Sequence, residues 1–254
     1  MDLSGEPETM DLILPNWPAP ASVFSAQSTR SGGVSPAPFT SLNLGAHVGD
    51  NPANVVANRA QLAACLSLPS APVWLEQEHG TRVLTLPDNT GNLTADAVVS
   101  RTPGQVCSIM TADCLPVLFC DQAGTVVGAA HAGWRGLAAG VLEATLQAMA
   151  VDPATVLVWL GPAIGPKAFE VGGEVRAAFM AHSPLTEHAF MPQGDPQHDK
   201  WLADIYQLAR LRLVAAGVKQ FYGGDCCTHS DATRFFSYRR DQVTGRQASL
   251  IWLD

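Results

Sequence analysis

Several features are scarce in this 254-residue chain, and each scarcity excludes a class of protein. Charged residues make up only 15%, with 15 Lys and Arg against 23 Asp and Glu, so the net charge is −8. No basic run offsets that balance, and a polyanion is repelled on average, which argues against nucleic acid as a partner. No window approaches the roughly 18 consecutive apolar residues that cross a bilayer, so no membrane partner is expected. The opening "MDLSGEPETMDLILPNW" is acidic and lacks the basic start and long apolar run of a signal peptide, so the expected location is cytoplasmic. CxxC pairs are also absent, which removes zinc ribbons and fingers. The six cysteines, at 65, 107, 114, 120, 226 and 227, follow no disulfide-framework spacing and are expected as thiols in a reducing compartment.

What is abundant is apolar material, 47% of residues, enough for a sizeable core. No repeat or low-complexity linker divides the chain. The expected organisation is a loose tail over residues 1–10 and a single domain over 11–254. Short apolar runs with Asp, Gly or Pro at their boundaries predict strands at "PVWLEQ", "RVLTL", "ADAVVS", "QVCSIM", "LPVLFCD" and "TVVGAAH". Further strands are expected at "TVLVWLG", "KQFYGG", "RFFSYRR" and "QASLIWL". Asp50 or Asn51 can cap a helix that starts at Pro52 and runs through "ANVVANRAQLAACLSL". "WRGLAAGVLEATLQAMA" carries a helical stripe of Ala138, Val141, Leu142, Thr145, Leu146 and Met149. "GGEVRAAFMAH" and "DKWLADIYQLARLRLVAAG" also read as helices, while "SVFSAQSTRSGGVSPAPFTSLNLGAHVGDNP" reads as loops with defined turns. Helices interspersed among more numerous strands indicate a mixed-sheet α/β or α+β layered domain.

Three residues stand out: His79 in "EQEHGTRV", Cys114 in "TADCLPV" and His131 in "AAHAGWRG". Taken singly, a buried Cys is a small hydrophobe, and a His beside a strand is most often satisfied by a backbone carbonyl. Their shared setting changes the balance. Gly80, Gly133 and Gly136 permit tight turns beside each imidazole, and Asp113 can serve as a carboxylate that orients one. Two chemistries remain open. Cys114 can be a nucleophile with His131 as its base; or the thiolate and both imidazoles can hold Zn²⁺ with a fourth position vacant. The second gives His79 a part, and the first leaves it idle.

Oxyanion contacts are expected from the helix opening near Arg135–Gly136, from Arg30 before its Gly-Gly pair, and from the forks of Arg239, Arg240 and Arg246. Cys226, Cys227 and His229 read as structural. His47, His182, His188 and His198 read as solvent-facing.

"SLNLGAHVGDNPANVVANRAQLA", "LEQEHGTRV", "ADAVVS", "TADCLPVLFCD", "GAAHAGWRGLAAGV", "WLGPAIGPKAFEVGGEV" and "FFSYRRDQVTGRQASLIWL" together resemble the YfiH family from about residue 22 to the C-terminus. Members of that family have been labelled laccase-like polyphenol oxidases and purine nucleoside phosphorylases with adenosine deaminase activity. The resemblance implies a single layered α/β/β/α catalytic domain with mixed β-sheets. It implies His79, Cys114 and His131 as ligands of one zinc per chain, with copper as the alternative metal. Arg30 and Arg135 sit inside family motifs and, with Asn43 and Arg239, are the expected substrate or phosphate contacts, while Asp113 joins the three ligands as an expected catalytic residue. Glu78, where the family often has Val, is a departure beside a ligand. The implied partners are a purine nucleoside (adenosine, inosine or methylthioadenosine) and phosphate, bound by a monomer or homodimer. A trinuclear copper cluster needs more imidazoles than the seven present here, and no HxH pair occurs, so copper-dependent polyphenol oxidation is expected only as a side activity. The deaminase signature of H-x-E with P-C-x-x-C is also absent. A Cys–His hydrolase or amidase acting on cell-wall precursors is the competing expectation, with a non-enzymatic metal-binding protein as the third.

Overall fold

The computed structural model describes residues 10–254. Residues 1–9, nearly all of the expected tail, lie outside the described residues, but Met10 already packs against a hydrophobic cluster. In chain order the first strands are β1 (Leu12–Ile13), β2 (Val23–Ser28), β3 (Val83–Leu86), β4 (Ala97–Ser100) and β5 (Cys107–Thr111). Then come β6 (Leu115–Asp121), β7 (Val127–Ala132), β8 (Val156–Leu160), β9 (Glu170–Gly172), β10 (Phe190–Pro192), β11 (Lys200–Ala203), β12 (Gln220–Gly223) and β13 (Gln247–Leu253). The helices are α1 (Pro52–Cys65), α2 (Trp134–Ala139), α3 (Val141–Met149), α4 (Gly173–His182), α5 (Ile205–Ala215) and α6 (Tyr238–Asp241).

Two sheets form the middle of the molecule. One has the order β1-β2-β13-β5 and is antiparallel. The other has the order β12-β8-β6-β7-β4-β3 and is mixed, with parallel pairs at its two ends. Alternation within single strands shows how they stack. In β6, Val117 and Phe119 face one cluster with α3 and α5, while Leu118 and Cys120 face another shared with Ile109, Cys107 and Ile251. In β13, Ile251 and Leu253 join that inner cluster, while Ala248, Leu250 and Trp252 turn outward to Leu62 of α1. Helix, sheet, sheet and helices are therefore four successive layers, as the family resemblance implied. Among the described residues no helix is long and apolar enough to cross a membrane. The sandwich interior also sets the fate of two thiols: burial pushes Cys107 up, and burial with the nearby Asp121 carboxylate pushes Cys120 up to about 12.

Most expected elements form, and the differences have local causes. Asn51 caps α1 by accepting from the Ala53 N–H, with Pro52 in the first position. "PVWLEQ" is not a strand, since Val73 and Glu76 each make only an isolated bridge. The stripe over 134–150 is cut at Gly140, whose φ of +105° ends α2 and starts α3. "DKWLADIYQL" splits too: Lys200–Ala203 pairs as β11 between β9 and β10, and the Asp204 side chain caps α5 by accepting from the Gln207 N–H. "RFFSYRR" is not a strand, because the Ser237 side chain caps the short helix α6. β2 runs through a stretch that reads as loop.

A side chain at residue 140 would hold the backbone in a region that costs about 1–3 kcal/mol for a non-glycine residue. Gly140→Ala is therefore expected to lower Tm by several degrees in a thermal melt, and an unchanged Tm would contradict this account of the break.

Candidate metal centre

β6 and β7 are antiparallel neighbours, with Pro116 opposite His131 and Leu115 opposite Ala132. Cys114, one residue before β6, thus ends diagonally across from His131 on the same face of the sheet, within side-chain reach. His79 arrives from a separate turn and stands at φ +63°, a left-handed conformation uncommon for residues other than glycine. Its Nε2 lies 3.7 Å from Cys114 Sγ, and its ring meets that of His131 edge-on at 4.7 Å between centroids. One donor atom from each of the three residues lies within 4.8 Å of the other two. The vertices of a tetrahedral zinc site with sulfur at 2.3 Å and nitrogen at 2.1 Å are about 3.6 Å apart, so the His79–Cys114 pair already has the required spacing.

Asp96 explains how the turn is held. The carboxylate accepts the backbone N–H groups of Glu78, His79 and Gly80 at 3.1, 2.9 and 2.6 Å. It also lies 2.8 Å from Nδ1 of His131, which leaves Nε2 as the ring nitrogen facing Cys114. Burial raises the Asp96 pKa, but hydrogen bonds from His131 and the backbone outweigh it and the carboxyl is held below its usual range. Burial likewise opposes ionisation of Cys114, yet the positive charge and hydrogen bonds of His131 and His79 bring the thiol down to about 6. His131 is the complement: burial lowers it, but the facing sulfur and Asp96 push it up to about 9. The thiol is thereby shifted toward the thiolate, the form in which cysteine binds metal. Close packing completes the arrangement: a Cβ on Gly133 would stand 2.5 Å from the His79 ring and 3.0 Å from Cys114 Sγ, so only glycine fits.

The group sits where two cavities meet. The larger, of about 880 Å³, is lined by His47, Arg59, Trp74, Glu76, Glu78, Thr111 and Arg246, along with the three donors. The smaller, of about 280 Å³, is lined by Trp134, Arg135, Phe169, Ile164, Ile205 and Arg239, along with His79 and Cys114. Tyr238 lines both.

Several sequence expectations need correction. Asp113 does not orient an imidazole; it accepts from the Thr228 hydroxyl and the Arg239 N–H, and Asp96 takes the orienting part. Asn43 is fully buried, and both ends of its amide are occupied, by Asp50 and Gly45 on one side and by the N–H groups of Gly45 and Arg246 on the other. It cannot reach a ligand. Arg30 lines neither cavity; it lies over Phe236 and donates to the Thr40 and Ala232 carbonyls. Arg240 is engaged by the Thr228, His229 and Phe235 carbonyls. Arg135 and Arg239 do line the smaller cavity, stacked on Trp134 and Phe169. The start of α2 is no open anion seat, because a Cβ on Gly136 would stand 2.9 Å from the Gly80 carbonyl oxygen. His47, read as solvent-facing, is exposed yet lines the larger cavity. Asp96 and Arg59 were missed.

A profile described as multi-copper polyphenol oxidoreductase laccase matches residues 24–254. A protein of Escherichia coli (strain K12) named purine nucleoside phosphorylase YfiH is 60% identical over 243 residues, covering 95% of this chain and 98% of that one. The chain belongs to the YfiH family. A purine nucleoside phosphorylase of Pseudomonas aeruginosa is 58% identical over 241 residues, with the same coverage of both chains. Among solved structures, a Neisseria meningitidis protein superposes with a TM-score of 0.91 at 51% identity, covering 96% of this chain and 99% of that one. The laccase description of this YfiH-family profile does not translate into a multi-copper array here: among the described residues, three His, Cys, Asp or Glu donors gather in one place, at His79, Cys114 and His131.

If Asp96 fixes the His131 ring, Asp96→Asn should weaken metal binding about 10–100-fold, the usual cost of losing an outer partner of a ligating imidazole. Chelator competition on the purified protein measures this, and an unchanged affinity would contradict the role given to Asp96.

Proposed function

We propose that this protein is a zinc-dependent purine nucleoside phosphorylase, acting on adenosine, inosine and methylthioadenosine in the cytoplasm. The observation that carries the reading is the placement of a one-sulfur, two-nitrogen donor set at the junction of two cavities walled by arginines. Its relatives at 58–60% identity bear the matching name. Six thiols without disulfide partners suit a reducing compartment.

His79, Cys114 and His131 would hold the ion, leaving one tetrahedral position for a ligand. An ion bound there supplies Lewis acidity toward a substrate oxygen. The remaining work belongs to the chain. Arginine forks bind phosphate and hold one of its oxygens against C1′ of the nucleoside. That oxygen bonds to C1′ as the glycosidic bond breaks, and the bonding pair leaves on the purine, which takes up a proton. The products are free base and sugar 1-phosphate. Trp134, Phe169 and Tyr238 offer flat apolar surface to the purine. Deamination of adenosine, in which water adds at C6 and the C6–N bond breaks to release ammonia and leave inosine, is a side reaction of the same site.

A second reading rests on one observation: with no metal, the lowered Cys114 thiol beside a raised His131 is also the ion pair of a cysteine hydrolase. The two readings part on Cys114→Ala. The phosphorylase reading expects about one Zn²⁺ per chain in the parent protein. It also expects loss of that metal and about a 100-fold or greater fall in phosphate-dependent release of base in the variant, beyond the cost of losing an outer partner. Metal-free parent protein that is rapidly alkylated at Cys114 and leaves inosine and adenosine untouched would overturn it.

A further inference from the structure

The larger cavity holds two arginines that no carboxylate of the described residues meets directly. Arg59 and Arg246 both line it, and among the described residues neither forms an ion pair. Both are anchored on one loop. The Arg59 Nε and Nη2 donate to the Leu44 carbonyl at 3.0 and 2.8 Å, and its guanidinium lies 4.2 Å over the Trp74 ring. The Arg246 backbone N–H donates to Asn43 Oδ1, its carbonyl accepts from the Leu44 N–H, and its side chain packs against Gly45. Asn43, saturated by the protein, holds Arg246 directly, and the next residue, Leu44, holds Arg59.

A second observation concerns the wall of the same space. Thr111 is only 2% exposed and lines the cavity, and its hydroxyl oxygen has no hydrogen-bond partner among the described residues. A buried hydroxyl left unmatched costs about 1–3 kcal/mol, so such groups are normally found paired. His47 lines the cavity too; its side chain is exposed but partly desolvated there, and that desolvation, followed by the charges of Arg246 and Arg59, holds its pKa below the usual range. Arg246 is likewise lowered, because burial outweighs the opposing charges of Cys114 and Asp113. Glu76 and Glu78 share the cavity, but both are exposed and Glu76 is bonded to Thr94.

We propose that Arg59, Arg246, His47 and the Thr111 hydroxyl form the phosphate subsite, so that inorganic phosphate enters from the larger cavity and the smaller one, with Arg135 and Arg239, is left to the nucleoside. Arg59 Nε and Nη2 are taken by the Leu44 carbonyl and Arg246 Nη1 by the Thr244 and Gly245 carbonyls, which leaves Arg59 Nη1 and Arg246 Nη2, with the hydroxyl and a His47 ring nitrogen, to meet the acceptor-only oxygens of phosphate. This placement rests on the phosphorylase reading for its part in turnover, but it also makes a claim about binding that stands without turnover.

The test uses zinc-loaded protein and inorganic phosphate as the probe. Arg59→Gln and Arg246→Gln are expected to raise the KM for phosphate about 10–100-fold, the worth of a hydrogen bond to a charged group, with the KM for inosine within about 2-fold. Arg59→Lys should recover only part of the loss, because an ammonium lacks the fork. Arg135→Gln and Arg239→Gln should shift the inosine KM instead. Thr111→Val guards against misfolding: without phosphate it should melt no lower than the parent, since it removes an unmatched group, while its Tm rise on adding phosphate should shrink. Parent protein that gains Tm with phosphate, through Arg59 and Arg246, but cleaves no nucleoside would keep the subsite and defeat the phosphorylase reading. Phosphorolysis with a phosphate KM insensitive to Arg59 and Arg246 but raised by the Arg135 or Arg239 variants would keep that reading and overturn the subsite.

Discussion

The Asp96 carboxylate carries two tasks that elsewhere fall to separate groups. Its oxygens gather three successive N–H groups of the Glu78–Gly80 turn and also meet the ring nitrogen of His131. The first task keeps His79 in a left-handed conformation that it would otherwise leave. The second fixes the orientation of His131 and directs its other nitrogen toward Cys114. Because one rigid carboxylate does both, the two imidazoles cannot move independently. Their separation is set by the end of β4, where Ala97 pairs with Ala130 and so puts Asp96 beside His131.

The rest of the site follows from that brace. Cys114 needs no search for its partners, since the β6–β7 register delivers it to the edge of the His131 ring. Positive potential is supplied from a different layer: Arg59 projects from α1, and Arg246 stands just before β13, a central strand of the four-stranded sheet. The proposed substrate site thus draws on both sheets and an outer helix, and the same sandwich packing that stabilises the fold sets the distances within it. Loops alone would hold such a site less precisely.

The sequence announced the strands between residues 97 and 132 clearly, because both faces of β4 to β7 are buried and their apolar runs are nearly unbroken. It concealed the break at Gly140, because Ala138, Val141, Leu142 and Thr145 keep helical phase across it. "PVWLEQ" has the composition of a strand, but Val73 and Glu76 find only single bridges, so no ladder forms there. That His79, Cys114 and His131 form one group was legible, since glycines stand beside both imidazoles and all three sit where packing alone would favour a hydrophobe. Asp96 was not, because its value comes from an antiparallel pairing that brings it to a residue 35 positions away. Arg59 looked like any cation on a helix, and Asn43 like a ligand contact, until hydrogen bonds showed one facing a cavity and the other saturated.

The central claim is that one sulfur and two imidazole nitrogens converge on a single ion with a vacant corner. X-ray absorption at the zinc edge of the purified protein tests it most directly. The account predicts one sulfur at about 2.3 Å and two imidazole nitrogens at about 2.0–2.1 Å, with a lighter exchangeable ligand completing the shell. A shell without sulfur, or one closed by four protein donors, would contradict it.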